Sequence, residues 1–547
     1  MIKENLLKYF EESIRQNWDK PAFADFKGEK FNYGDVAQRI LLIHKVLKNN
    51  GIKKGSKIAL VGKNSSNWAI SYLSVISFGG VVVPLLPDFK AEDIMSLINH
   101  SDAEVLFISD SHFESIFLNK IQRIKLVFLL SDFSVLNTSL GSDMQFIPLL
   151  NELKEENTTL EEFSLPEVDN SELAVISYTS GTTSNSKGVM LTHNNLAANI
   201  RYARNNMPLS SGDSIVSFLP LAHAYGCAFE FLFPFSLGCF ITFLTKAPSP
   251  QIIIQAFSEV KPRLVLSVPL VIEKIYKKQI IPVLSKPIMK VLLLLPLINK
   301  LLYFKIKQNL IRVFGGNFHE VVIGGAPFNT EAEAFFKKIN FPFTVGYGMT
   351  ECGPLISYSS WKTTKVQSSG KPVDCLQVKI DSADPLHEVG EIMVKGENVM
   401  LGYYKNEEAT HSVLDKEGWL HTGDLGLMDA EGNVYIKGRC KSMILGASGQ
   451  NIYPEEIESV LNNKYGVMES VVILDNGQLK ALIYPDYETI ENVKIEKDQL
   501  MQLMKQNVHE LNHQLPSYMN ISKFEIHPVE FEKTPKRSIK RFLYNSN

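Results

Sequence analysis

Tyr178-Thr-Ser-Gly-Thr-Thr-Ser-Asn-Ser-Lys-Gly188 follows on an apolar run, 174–178, and a helical pattern is expected beyond it. The run reads as a buried strand ending in a loop of Gly, Ser, Thr and Lys. Small hydroxyl side chains and Gly181 let backbone N–H groups approach an anion closely. Lys187 adds a mobile positive charge. A polyphosphate is the natural guest. Gly181 and Lys187 have the six-residue separation of a Walker A loop. That motif breaks at two points: Ser186 replaces its second Gly, and Gly188 stands where Ser or Thr would hold Mg²⁺. A solvated surface loop is the remaining alternative, and six Ser and Thr residues beside a buried strand speak against it.

Outward from this stretch, short apolar runs alternate with helical patterns over 171–348. Strands are expected at 174–178, 214–219, 240–244, 263–268, 321–323 and 343–345, with helical spacing in 193–205 and 251–260. Upstream, 57–61 and 80–84 read as strands and 67–78 as a helix. This alternation predicts an α/β fold of mostly parallel sheets with helices on both faces. After 370 the rhythm changes to short, Gly-punctuated strands (377–380, 391–395, 434–437), expected to form a β-rich subdomain over about 370–438. From 441 onward helices and strands mix again, enough for one small α+β domain. The predicted division is therefore 1–438 and 439–547.

At 547 residues the chain is long for one domain. Its 45% apolar and 21% charged residues are ordinary for a globular protein with a large core. A formal net charge of −3 gives no global pull toward nucleic acid or anionic membrane. Five scattered cysteines without a CxxC pair argue against a disulfide framework or zinc site and fit a reducing cytosol. The first residues lack the apolar core of a signal peptide, and no run of apolar residues is long enough to span a bilayer.

Further motifs stand in order along the chain: Phe218-Leu-Pro-Leu-Ala-His-Ala-Tyr225, Gly324-Gly-Ala-Pro-Phe328, Gly346-Tyr-Gly-Met-Thr-Glu351, Trp419-Leu-His-Thr-Gly-Asp424, Gly438-Arg-Cys-Lys441 and Gly446-Ala-Ser-Gly-Gln-Asn-Ile-Tyr453. By chemistry alone, Glu351 is a hard oxygen ligand suited to phosphate-bound Mg²⁺. Thr350 offers a hydroxyl, Tyr347 an aromatic face and Asp424 a carboxylate able to bind ribose hydroxyls. Together with the 178–188 loop, the set resembles the adenylate-forming superfamily: acyl-CoA synthetases, firefly-type luciferases and peptide-synthetase adenylation domains. Ser184 and Ser186 depart from the commoner Gly and Pro but keep the loop small.

The resemblance implies ATP, Mg²⁺ and coenzyme A as the nucleotide, metal and thiol. It places Thr179, Ser180, Gly181, Thr182, Thr183 and Lys187 around the β- and γ-phosphates, and His223 beside the carboxylate and adenylate. Gly324, Gly325 and Ala326 would line the acyl pocket and adenine site, Tyr347 and Gly348 the adenine, and Thr350 the α-phosphate. Glu351 would hold Mg²⁺, Asp424 and Arg439 the ribose or phosphate, and Gly449 the pantetheine. Lys441 would be the hinge of a mobile C-terminal domain.

One position breaks the pattern. Aligning Lys533-Thr-Pro535 and Lys540-Arg541 puts Ser538 where the superfamily carries a catalytic lysine. A serine cannot supply that charge, so Lys536, Arg537 or Lys540 is expected to serve, with Lys540 preferred; the alternatives are that this basic cluster binds the 3′-phosphate of coenzyme A or is a solvated tail. The leucine- and lysine-rich stretch 282–314 is comparable to an extension of long-chain fatty acid–CoA ligases. It reads either as core packing or as a basic amphipathic surface for peripheral membrane contact. The expected activity is ligation of a fatty acid to coenzyme A through acyl-AMP. Alternatives are an aryl or medium-chain acid, or a non-catalytic fatty-acid or nucleotide sensor. An amino-acid substrate would need an acidic residue after the His223 segment to hold its amine; Glu230 is close, but it lies in an apolar helix-like run, which speaks against that role.

Overall fold

The computed structural model describes residues 2–138, 145–149, 158–179, 186–246, 249–445, 450–488, 490, 497–533 and 539–544. Every strand and helix expected above is found with ends within two residues of the expected ones. Lys57–Val61, Val81–Leu85, Val105–Ile108, Leu126–Leu129 and Leu173–Tyr178 lie parallel in the middle of an eight-stranded sheet. Their continuous apolar runs suit strands covered on both faces. Antiparallel strands finish the edges: Val135–Asn137 on one side, Gly188–Thr192 and Gly402–Tyr403 on the other.

Two further sheets complete the large α/β body. Ser214–Ser217, Phe240–Phe243 and Pro21–Asp25 run parallel, with Lys30–Asn32 antiparallel at the edge. Leu264–Ser267, Glu320–Ile323 and Phe343–Val345 form a parallel triplet. The Gly-punctuated region becomes an antiparallel sheet of Leu376–Asp381, Gly390–Gly396, Leu420–Met428 and Val434–Arg439. One continuous apolar core runs from Leu6 to Val434, and a second gathers Ile452 to Ile521. The second core fills the space between helices Pro454–Leu461 and Lys497–Gln514 and the sheet of Val467–Asp475, Gln478–Pro485 and Lys523–Ile526.

A strand that the sequence reading did not place stands between the 178–188 loop and the helix beyond it. Gly188–Thr192 is a strand, and the helix begins only at His193. The chain reverses and pairs antiparallel with Leu173–Tyr178, in the register Tyr178↔Gly188 and Ser177↔Val189. The loop is therefore the tip of a hairpin and not a strand-to-helix turn. Buried Val189 and Leu191 give the second strand its apolar side. Gly188 is required by space: a Cβ there would lie 2.9 Å from Ile176 Cγ2 and 3.2 Å from the Tyr178 ring.

Of the two readings of 282–314, core packing holds only for the second half. Leu310 and Phe314 are buried, and the Tyr303 ring meets Phe335. In the first half Leu284 still packs against the main core, while Ile288, Val291, Leu294, Leu295 and Leu297 project outward.

Gly188→Ala is expected to destabilise the protein by about 1–3 kcal/mol, the usual range for overpacking a filled site. Urea denaturation reads this directly, and an unchanged midpoint would contradict the close contact.

Candidate active site

The hairpin mouth is closed by two hydrogen bonds. The Thr179 N–H donates to the Lys187 carbonyl (2.9 Å), and the Lys187 N–H donates to the Thr179 hydroxyl (3.2 Å). Thr179 and Lys187 thus sit opposite each other at the base of the loop. Ser180, Gly181, Thr182 and Thr183 lie outside the described residues, as do Gly449, Lys536, Arg537 and Ser538.

The Lys187 ammonium stands 4.5 Å from the centre of the Tyr403 ring. The Tyr403 hydroxyl donates to Glu351 Oε1 at 2.9 Å. One buried aromatic residue therefore contacts the cation through its face and the carboxylate through its edge. Tyr403 belongs to the short edge strand paired with Val189, so the same hairpin that positions Lys187 positions its partner. Burial, then the Glu351 charge, raises the phenol pKa well above its ordinary value and keeps it a donor.

Thr350 and Glu351 occupy a single 3₁₀ turn, Thr350–Cys352, after the strand Tyr347–Gly348. A Cβ on Gly348 would fall 2.2 Å from the Pro354 carbonyl, so only glycine lets the turn fold back. The helix His193–Asn206 clamps this turn. Asn199 donates to the Cys352 carbonyl (3.0 Å) and accepts from the Leu355 N–H (2.9 Å). Asn195 donates to the carbonyls of Glu397 and Val399, and the Met400 N–H donates to the Glu351 carbonyl.

On the other side of the strand, the Tyr347 hydroxyl donates to Asp424 Oδ2 (2.7 Å), and Arg439 Nε lies 3.0 Å from Asp424 Oδ1. Burial pushes the Asp424 carboxyl above its ordinary value, while Arg439 and Tyr347 pull it back. Tyr347 is itself buried, so it meets the site through its hydroxyl more than through an open face. The Thr422–Asp424 turn is fixed by Glu391, which accepts from the Gly423 N–H and contacts His421. Cys440 N–H donates to the Gly423 carbonyl, which places exposed Lys441 one residue beyond this anchor.

The Gly324-Gly-Ala326 turn meets the His223 segment through Tyr225. The Tyr225 hydroxyl donates to the Val322 carbonyl (3.1 Å), and its ring would lie 3.2 Å from a Cβ on Gly324. Gly325 has φ of +91°, a conformation glycine adopts freely, and Ala326 beyond it is exposed. His223 borders a small apolar cavity of about 20 Å³ shared with Val175, Leu191, Cys227 and Gly353. It therefore lies against both the hairpin and the Glu351 turn. A cavity of that size holds no acyl chain.

Glu230 does not face a substrate. It is fully buried, and its Oε2 accepts from the backbone N–H groups of Phe218 and Leu219, both at 2.9 Å. It anchors the segment that carries His223, and burial raises its carboxyl pKa well above the ordinary range. Lys540 lies apart from the groups gathered above: its ammonium is 3.4 Å from Glu532 Oε2. Arg541 beside it reaches Glu458 and Glu455 on the helix Pro454–Leu461. The structure thus brings together Thr179, Lys187, His223, Gly324, Thr350, Glu351, Tyr347, Gly348, Asp424 and Arg439, and places Lys540 beside Glu532 instead.

Sequence reasoning missed Tyr403, Asn195 and Asn199. Gly-Tyr-Tyr404 resembles any strand end, so Tyr403 carried no signal. The asparagines did: buried amides are rare inside a helix unless their side chains have partners elsewhere.

The Thr179 hydroxyl, Lys187 and Glu351 at the mouth of a hairpin, beside a buried carboxylate bridged to arginine, are a set of groups suited to a nucleotide polyphosphate. The chain matches the family model for AMP-binding enzymes over residues 10–404 and that for their C-terminal domain over 441–546. It belongs to the AMP-binding enzyme family. It is 30% identical to long-chain-fatty-acid–CoA ligase 5 of Rattus norvegicus over 84% of this chain and 71% of that protein. It is 28% identical to the chloroplastic long-chain-fatty-acid–[acyl-carrier-protein] ligase AEE15 of Arabidopsis thaliana, covering 91% and 78%. Its fold matches the anthranilate CoA ligase AuaEII in complex with anthranoyl-AMP (TM-score 0.79, 18% identity, 99% and 96% covered). It also matches ATP-bound MatB from Rhodopseudomonas palustris (TM-score 0.76, 22% identity, 99% and 98% covered).

Enzymes of this family use ATP, Mg²⁺ and coenzyme A. The residues present fit Mg²⁺. Among the described residues no group of three His, Cys, Asp or Glu could cage a metal. Glu351, with one oxygen held by Tyr403, is a lone hard ligand of the kind Mg²⁺ accepts when phosphates and waters complete its shell.

Tyr403→Phe keeps the ring under Lys187 and removes the donor to Glu351. Pyrophosphate release in a single turnover is expected to slow by roughly tenfold, the loss of one charge-assisted hydrogen bond. A rate equal to wild type would contradict the bridge. Glu230→Ala is expected to cost about 2–4 kcal/mol of stability by orphaning two buried N–H groups. Unchanged thermal unfolding would show that Glu230 is not the anchor.

Proposed function

We propose that this chain activates a long-chain fatty acid to acyl-AMP and then transfers the acyl group to coenzyme A. The observation that carries the adenylation half is the Lys187–Tyr403–Glu351 bridge at the mouth of the hairpin loop. It holds one cation and one carboxylate near each other without letting them neutralise. The fatty-acid half rests on relatives named for long-chain acids, 30% and 28% identical over most of this chain. AuaEII, named for anthranilate, shares the fold, and so an aryl acid is the second reading.

In the first step a carboxylate oxygen of the acid attacks the α-phosphorus of ATP. The bond from that phosphorus to the bridging oxygen breaks, and pyrophosphate leaves. Lys187, Thr179 and the loop residues Ser180, Gly181, Thr182 and Thr183 hold the β- and γ-phosphates. Glu351 would hold Mg²⁺, which when bound would supply positive charge at the phosphate oxygens. The Thr350 hydroxyl hydrogen-bonds the α-phosphate. His223 stands beside the carboxylate, and Gly324, Gly325 and Ala326 let acid and adenine pass close to the backbone. Asp424, oriented by Tyr347 and Arg439, receives the ribose hydroxyls, and Tyr347 and Gly348 border the adenine. Such preorganised charge is the main lever for a displacement that uses no enzyme nucleophile.

In the second step the coenzyme A thiol loses its proton and attacks the acyl carbon. The acyl–phosphate oxygen bond breaks, and AMP leaves. We place the domain division at 438/439, with Lys441 as the hinge that brings Gly449 to the pantetheine. Contacts such as Lys277 to the Asn462 carbonyl and Lys278 to Glu488 (2.5 Å) would have to open in that rotation. With Ser538 in place of the superfamily lysine, Lys536, Arg537 or Lys540 supplies the charge. Lys540 would first have to leave Glu532, an exposed partner worth little.

Two measurements check this reading. The protein, given ATP, coenzyme A and acids from octanoate to octadecanoate, is expected to release AMP and pyrophosphate and to form thioester best with the longer chains. Thioester with benzoate or anthranilate alone would favour the aryl reading. Among Lys536→Ala, Arg537→Ala and Lys540→Ala, at least one is expected to slow pyrophosphate exchange by about tenfold or more, as for loss of one electrostatic donor. Wild-type rates in all three would sink the substitution of a neighbouring base.

A further inference from the structure

The helices Pro287–Leu293 and Pro296–Val313 bend by 116° at Leu294–Leu295. Ile288, Val291, Leu294, Leu297, Leu301 and Phe304 are 58–84% exposed. They fall at helical spacing: 288 and 291 share one face of the first helix, 297, 301 and 304 one face of the second, and Leu294 stands at the bend between them. Scattered exposed leucines need no explanation, but a contiguous apolar knuckle does. From 279 to 319 the chain has six Lys or Arg and no Asp or Glu, against a net charge of −3 for the whole protein. Lys286, Lys290, Lys300, Lys305 and Arg312 are exposed, and none of them forms an ion pair among the described residues.

We infer that this knuckle is a docking surface for an anionic lipid bilayer, inserting its apolar faces at the interface while its cations meet the headgroups. The inference stands on this surface alone and not on the acyl reading. A second copy of the chain is a poorer occupant. A two-fold contact would set the same unpaired cations against each other. A bilayer-spanning role fits less well, because the second helix commits its far half to the protein through Leu310, Phe314 and the Tyr303–Phe335 contact. Only the bend and the turns beside it are free to enter lipid. An apolar face flanked by lysines is the composition of interfacial helices, and each lysine near an anionic surface adds to binding. Between the knuckle and the helix Pro269–Ile275 lie the short helices Tyr276–Ile280 and Ile281–Leu284, and Glu273 of that helix accepts from the Asn329 N–H just past the Gly324–Phe328 turn.

The test is co-sedimentation of the full chain with vesicles of phosphatidylcholine alone or mixed with phosphatidylglycerol. Wild type is expected to partition onto the mixed vesicles at least about tenfold more strongly than onto phosphatidylcholine. The variants Leu294→Ser/Leu297→Ser/Leu301→Ser and Lys286→Glu/Lys290→Glu/Lys300→Glu are each expected to lose at least that factor. Both should keep the wild-type thermal midpoint and the wild-type rate of pyrophosphate release with octanoate in the absence of vesicles. The proposal is overturned if wild type stays in the supernatant at low salt, or if the leucine variant partitions like wild type. It is equally overturned if wild type forms a dimer that the leucine variant dissolves while neither binds vesicles.

Discussion

Tyr403 keeps Lys187 and Glu351 from neutralising each other. Its ring takes the ammonium at 4.5 Å and its hydroxyl takes the carboxylate at 2.9 Å, and the two charged groups form no ion pair with each other among the described residues. A direct pair would be the simplest resting place for two opposite charges in a half-buried cleft. It would also leave both occupied when a polyphosphate with its cation arrived. A cation over an aromatic face is held by about 0.5–2 kcal/mol, enough to position it and little enough to give it up. The rest of the site depends on this spacing.

The spacing is built by the sheet. Tyr403 and Lys187 belong to adjoining parts of one edge, because Gly402–Tyr403 pairs with the second strand of the hairpin whose loop Lys187 ends. Glu351 arrives from a different sheet, on a turn clamped by Asn199 from the helix that leaves the hairpin. One hairpin thus fixes the phosphate loop, the aromatic bridge and the carboxylate turn. Gly188 and Gly348 mark the two places where backbone or core passes too close for any side chain, at 2.9 Å and 2.2 Å from a Cβ. A polyphosphate site made this way needs no helix N-terminus directly behind the loop, and that separates it from a Walker-type cradle.

Much of this was legible in the sequence, for physical reasons. Buried parallel strands are continuous apolar runs, and they came out in place. Carboxylates set in Gly- and Thr-containing motifs, Glu351 and Asp424, stood out by their chemistry. The strand Gly188–Thr192 was missed because five residues with one polar member read equally well as the start of the following helix, and only pairing on both sides decides. Tyr403 was missed because its role depends on a contact across 52 positions of sequence. Glu230 was set aside as a substrate contact because it lies in an apolar run, but only the structure shows that the carboxylate there serves the backbone N–H groups of Phe218 and Leu219. The outward leucines of the Pro287–Val313 region were ambiguous for the same reason: an amphipathic face is visible in sequence, but what covers it is not.

The central claim is that the carboxylate of the acid becomes bonded to the α-phosphorus. The most direct measurement is isotope transfer from an acid labelled with ¹⁸O in both carboxylate oxygens, with ATP and coenzyme A in ordinary water. The account predicts one ¹⁸O in the phosphate of the AMP released and one retained in the thioester carbonyl. AMP without label, or label found instead in inorganic phosphate together with ADP, would contradict it.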